Sequence, residues 1–182
     1  MDIRELDRAA IASTTRFAEQ ATDEQLDART PCDKWAVRDV LEHMVDNNRR
    51  TLDQLGAGFE PTGDPRADFR ASSAALHAHF ADDAVLAKTF AIGDYQVPGE
   101  FALAVHFGDV LVHGWDIGTA LGLDVELDES LVRVALDRIG QFPDSPRIWG
   151  PGGLFANRLP VADDAPPQER LLALTGRSSD WR

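Results

Sequence analysis

The residues of greatest chemical interest lie in the run HFGDVLVHGWDIGTAL, where Asp109 and His113 stand four positions apart. On a helix that spacing places a carboxylate and an imidazole on one face, within reach of a common ion. His106 comes three before Asp109 and seven before His113, so it shares the face about one turn lower. It is a candidate fourth ligand or a nearby acid–base group. A second polar stripe runs through VRDVLEHMVDNNRR, where Asp39, Asp46, Asn47 and Arg50 lie on the face of His43 at offsets of minus four, three, four and seven. If these two helices pack together, His43, Asp109 and His113 make three nitrogen and oxygen ligands with an open coordination position, the arrangement of a site that can do chemistry.

Each of these residues also has a plainer reading. An Asp and a His four apart are commoner as surface pairs or satisfied core groups than as ligands. Asp116 follows His113 by three and is suited either to orienting a ligand histidine or to an ordinary helix-surface pair. Arg50 could bind a substrate carboxylate if it faces the cavity; otherwise it is an exposed arginine. His77 and His79 are two apart and are expected on different sides of a helix at the surface. Cys32 is expected as a small buried filler. No GxSxG, GxGxxG or phosphate-binding GxxxxGK motif is present.

The elements that must carry these residues read as an all-helical chain. Apolar residues at three-to-four spacing predict a first helix from Ile3 to about Ala21 and a second from Val37 to Leu55, after the break at Pro31 and before Gly56 and Gly58. A weaker, Ala-rich run covers about Ala67 to Lys88. The segment FAIGDYQVPGE then has the turn residues of a connection with a short extended piece. The fourth run, about Glu100 to Leu121, is closed by Gly122, and a further helix is expected from Asp128, as N-cap, to about Gln141. The Pro- and Gly-rich stretch that follows predicts a loop with at most one short strand around Phe155 to Val161, then a terminal helix over about Pro167–Leu174. No linker separates two domains, so residues 1–182 are read as one.

Composition narrows the partners. Eighteen Lys and Arg against 31 Asp and Glu give a net charge of -13, which repels nucleic acid and anionic membrane alike and leaves a small molecule as the expected partner. The acidic start, MDIRELDRAA, with no apolar run after it, reads as cytoplasmic, and the single cysteine excludes an internal disulfide and a multi-cysteine metal site.

Three motifs in order, TPCDKWAVRDVLEHM, DVLVHGWDIGTALG and APPQERLLALTGRSSDW, resemble the DinB-like superfamily, specifically its actinobacterial branch related to mycothiol-dependent maleylpyruvate isomerases. The resemblance spans nearly the whole chain. It implies a four-helix bundle with a long crossover, and a zinc-like ion held by one histidine from the second helix and a pair four apart from a later one. His43 matches the first, and Asp109 with His113 match the pair. Related isomerases have a glutamate, and other DinB-like proteins a histidine, where this chain has the shorter Asp109. The chain also has Ala36 where similar sequences carry a capping Ser or Thr, and it has only a short helix where those isomerases have an additional C-terminal domain. The function implied is a divalent-metal-dependent thiol S-transferase or isomerase, with mycothiol as the expected cosubstrate, His106 moving a proton and Arg50, Asn47 or Asp46 orienting substrates. Zinc, nickel, iron and manganese all suit one carboxylate and two imidazoles. The alternatives are a metal- or small-molecule-sequestering protein without turnover and a metal-free helical interaction domain. A homodimer is compatible with exposed helix faces, although no residue specifies one.

Overall fold

A computed structural model describes residues 2–32 and 34–181. It is mostly helical: α1 (Ile3–Ala18), α2 (Val37–Gln54), α3 (Pro65–Phe80), α4 (Asp83–Leu86), α5 (Gly99–Ala120), α6 (Glu129–Gly140) and α7 (Pro167–Leu174). The chain is not all-helical. The connection FAIGDYQVPGE folds as an antiparallel hairpin of β1 (Thr89–Ile92) and β2 (Tyr95–Pro98), with Phe90 opposite Val97 and Gly93 at φ 55° in the turn.

Local chemistry explains where the helices begin. The carboxylate of Asp2 accepts from the backbone N–H of Arg4 at the start of α1, and Asp64 does the same for Arg66 ahead of Pro65, a residue whose fixed φ suits the first helical position. At α2 the capping side chain is absent, because Ala36 has none to offer. Instead Asp39 accepts from the Ala36 N–H at 2.8 Å, the surviving half of a capping box. The Ala-rich run ends at Phe80 and restarts as the single turn α4, where Asp82 caps Ala84.

Helix α5 is the central element. Residues 107, 108 and 110–118 are all buried, a pattern that comes from packing on every side rather than from one apolar stripe. It lies closest to α1, where Gly114 leaves no room for a side chain: a Cβ there would overlap Thr14 Oγ1, which donates to the Val110 carbonyl at 2.9 Å. Gly118 is equally restricted, since its Cβ would stand 2.6 Å from Val125 Cγ2. On its other sides α5 meets α2, α6 and the hairpin, and α2 packs on α3. One buried apolar cluster runs through these helices and includes Leu6, Leu41, Met44, Phe69, Phe107, Leu111, Leu131 and Leu171.

The segment expected to hold a strand at Phe155–Val161 is instead irregular. Phe155 makes one bridge to Trp149, Arg158 lies 4.1 Å over the Trp149 ring, and Leu159 donates to the Ala173 carbonyl. Pro160 offers no ladder donor and the preceding run 150–153 is all glycine and proline, which favours turns, so pairing does not extend beyond that bridge. After α7, Gly176 at φ 80° packs on Ala156 and Asn157 and turns the chain inward, so that Arg177 is buried. Among the described residues no helix is long and apolar enough to cross a membrane.

Candidate metal centre

The site forms where α2 crosses α5. His43 follows from the α2 stripe beside the buried positions Val40, Leu41 and Met44, and Asp109 and His113 lie one turn apart on the facing side of α5. The Nε2 atoms of the two histidines converge on one carboxylate oxygen, with His113 3.4 Å and His43 3.6 Å from Asp109 Oδ1. Bonds of about 2.0–2.1 Å to a tetrahedral ion place its ligand atoms roughly 3.3 Å apart, so the two edges that meet at Asp109 Oδ1 are near the required length, and all three ligand atoms lie within 4.8 Å of one another. The donor set is one hard oxygen and two imidazole nitrogens, which fits a divalent first-row ion. Their burial is graded: the side chain of His113 is 7% exposed and those of Asp109 and His43 are 25% and 30% exposed, so the group opens to solvent on the α2 side.

Groups around the triad fix its orientation. His113 Nδ1 is 2.8 Å from Asp116 Oδ2, which assigns the proton to Nδ1 and leaves Nε2 facing Asp109. Asp116 is fully buried and is held in turn by Arg177, whose Nη2 and Nε donate at 2.9 and 3.2 Å. A chain of four groups therefore runs Arg177, Asp116, His113, Asp109. On the other candidate ligand, the Asn47 amide nitrogen lies 3.0 Å from His43 Nε2 and donates to Asp109 Oδ2 at 3.4 Å, so it bridges the two residues. The Trp35 ring covers the two imidazoles, its centroid 4.6 Å from His43 and 5.8 Å from His113.

The electrostatics follow from this geometry. Burial opposes charge on Asp109, but the two imidazoles outweigh it and hold the carboxyl well below the usual carboxylate range. For His113 burial favours the neutral ring, yet Asp109 and then Asp116 push its pKa up to about 9. Arg177 and His113 likewise keep Asp116 ionised against its burial. Without an ion, a proton on His113 compensates the buried carboxylates.

The structure does not bring His106 or Arg50 into the triad. Asn48 donates its amide hydrogens to Ser72 and Ser73, each at 3.0 Å, so its oxygen faces His106 Nε2 at 2.8 Å. The Nδ1 of His106 is 2.6 Å from Asp7. Both ring nitrogens thus face acceptors, and the ring is an imidazolium buried against Asp7, which raises its pKa despite the cost of burial. This ion pair fastens α5 to α1 and, through Asn48, to α2 and α3. His79 is exposed, whereas His77 is partly buried: its side chain is 17% exposed, with Nδ1 3.7 Å from Asp7 and Nε2 accepting from Arg8. Arg50 is exposed and reaches the site only through Asn47, donating to its Oδ1 at 3.3 Å. Asp46 is on the surface, paired with Arg49 at 3.1 Å.

Sequence reasoning missed two residues around the site and read a third, Cys32, only as a buried filler. Arg177 lies 64 positions after His113, and no helical spacing links them. Trp35 sits in a turn just ahead of α2, where periodicity has nothing to say. Cys32 is half-buried rather than enclosed, with a ligand atom within 4.8 Å of His113 and Asp116. That second group suits an ion less well, because His113 Nδ1 is already committed to Asp116 and Asp116 to Arg177.

Comparison with known proteins places the chain in a family. Two uncharacterized proteins of Mycobacterium tuberculosis, one from strain CDC 1551 / Oshkosh and one from strain H37Rv, are each 32% identical over 160 residues, covering 85% of this chain and 86% of theirs. No solved structure matches. Residues 8–118, which span α1 to α5 and all three candidate ligands, match the model of the mycothiol maleylpyruvate isomerase N-terminal domain, and the chain belongs to that family within the DinB-like superfamily.

Proposed function

We propose that this protein is a divalent-metal-dependent thiol S-transferase or isomerase that uses a mycothiol-type thiol against a small electrophile. The observation that carries the reading is the convergence of His43 Nε2, His113 Nε2 and Asp109 Oδ1 at the α2–α5 crossing, open on one side. The packing of α1, α2, α3 and α5 supports the DinB-like four-helix bundle, with the hairpin in the long connection between the third and fourth helices. His43, Asp109 and His113 would hold a divalent ion, whose chemistry there would be to lower the pKa of a thiol and so favour a thiolate nucleophile near neutral pH.

The chain's own residues do the rest. Asp116, held by Arg177, keeps the proton of His113 on Nδ1 and its lone pair toward the ligand position. Asn47 steadies His43 and Asp109 together, and Arg50 steadies Asn47. Trp35 covers both imidazoles and forms part of the wall of the surface cavity that His43 also lines. His106 is a positioning residue: its pairing with Asp7 fixes the register of α5, and therefore of Asp109 one turn further on.

A second reading, ligand sequestration without turnover, is favoured by one observation. With His106 committed to Asp7 and Asn48, no buried general acid or base among the described residues faces the open position.

Elemental analysis of purified wild-type protein beside His43→Ala and Asp109→Ala tests the common premise. About one equivalent of a transition metal in the wild type, lost in both variants, is expected. Equal metal content in all three, or none after reconstitution, overturns it. Consumption of an electrophile only when thiol is present separates catalysis from sequestration.

A further inference from the structure

His43 of the triad also lines a surface cavity of 540 Å³, together with Lys34, Trp35, Asp39, Glu42 and Asp46. His43 is both a triad member and part of this lining, so the cavity adjoins the triad at that residue. Three carboxylates face one ammonium there. Asp39 is tied to the Ala36 N–H and Asp46 shares its charge with Arg49. That pair is exposed and screens the Asp46 charge only in part, so the lining is negative, with Asp39, Glu42 and Asp46 against Lys34. The aromatic face of Trp35 is the complementary element, a surface on which apolar or cationic groups rest well. The protein's overall charge of -13 acts in the same direction at long range.

We propose that this mouth selects ligands by charge, accepting neutral or cationic groups on the part of the molecule outside the metal and rejecting anionic ones. A small dicarboxylate is then a poor electrophile for this chain, and a neutral or cationic one a good one. The inference rests on the metal reading above. It assigns Glu42, Asp46 and Trp35 as specificity determinants.

The test uses the full chain loaded with Co²⁺, whose thiolate charge-transfer absorbance reports binding without turnover. Three thiols of similar size are titrated: a quaternary ammonium thiol (thiocholine), 2-mercaptoethanol, and the anionic 2-mercaptoethanesulfonate. Affinities are compared between wild type and the Glu42→Gln/Asp46→Asn double variant, in which both altered side chains lie at the surface. Differences in thiol acidity cancel in that comparison, since they are the same for both proteins. Removing the two acids is expected to shrink the preference for the cationic over the anionic thiol by on the order of tenfold at low salt. Raising salt to about 0.5 M should erase most of the wild-type preference. Cobalt binding with an unchanged ratio in the variant, or a wild-type preference for the sulfonate, overturns the charge selection and leaves the metal centre intact. Failure to take up cobalt, or to show thiolate absorbance with any of the three, overturns the metal reading and the inference with it.

Discussion

Asp116→Asn is the most informative single change. The carboxylate is fully buried, accepts two bonds from Arg177 and one from His113, and is isosteric with asparagine. The substitution removes one negative charge and leaves the volume unchanged, so no cavity term enters. Two effects follow. The buried Arg177 loses its counter-charge, and breaking a buried ion pair from one side costs about 3–5 kcal/mol. An asparagine oxygen still accepts from Arg177, which places the expected loss near the lower limit, about 3 kcal/mol. His113 meanwhile loses the anion that makes its Nε2 more basic, and partners of this kind are worth roughly 10- to 100-fold in metal affinity. Urea unfolding of the metal-free protein and competition with a zinc chelator measure the two effects separately. The double variant Asp116→Asn/Arg177→Met, which removes the stranded guanidinium, should recover most of the stability and none of the affinity. If the single variant unfolds within about 0.5 kcal/mol of wild type and binds zinc within about twofold, the linked groups Arg177, Asp116 and His113 have no energetic role, and the coupling between them is refuted.

His113 also sets a pH dependence. Its folded pKa of about 9 lies above its ordinary value of 6.5, so its contribution to the metal-free protein is complete below about 6.5 and lost as pH rises through about 9. Over those roughly 2.5 units the linkage amounts to about 3 kcal/mol, read as a decline in urea midpoint across that window that is absent in His113→Gln. The same proton competes with a metal, so zinc affinity should weaken by up to about tenfold per pH unit below 9; a flat profile between pH 6.5 and 8.5 contradicts this. His106→Gln should strand the buried Asp7 and cost about 3–5 kcal/mol in chemical denaturation, whereas undiminished stability would show that the Asp7 pair contributes nothing. Gly114→Ala should lose about 2 kcal/mol or more through overlap with Thr14, and Thr14→Ala in the same chain should restore part of it; a neutral Gly114→Ala means that α1 and α5 are not in close contact at this point.

Much of the site was legible from spacing alone. Asp109 and His113 share a face because four residues are close to one helical turn, and His43 stands on a polar stripe of its own helix. Those facts hold wherever the helices lie. The same spacing predicts His106 beside them, one turn lower on α5. What spacing does not contain is the neighbour each face meets. Asp7 on α1 and Asn48 on α2 take both nitrogens of His106, which turns a candidate acid–base group into half of a buried ion pair. The hairpin at β1 and β2 escaped a periodicity reading because four-residue strands are too short to show alternation. Its local signal was the turn at Gly93. Arg177 is the extreme case: its role depends on Gly176 turning the chain inward after α7, and only the packed molecule relates that turn to Asp116. The sequence by itself determined which residues could share a helix face and where helices start and stop, because both follow from local backbone geometry. Only the tertiary structure decided which faces meet and which charges pair, because those depend on contacts between segments far apart in the chain.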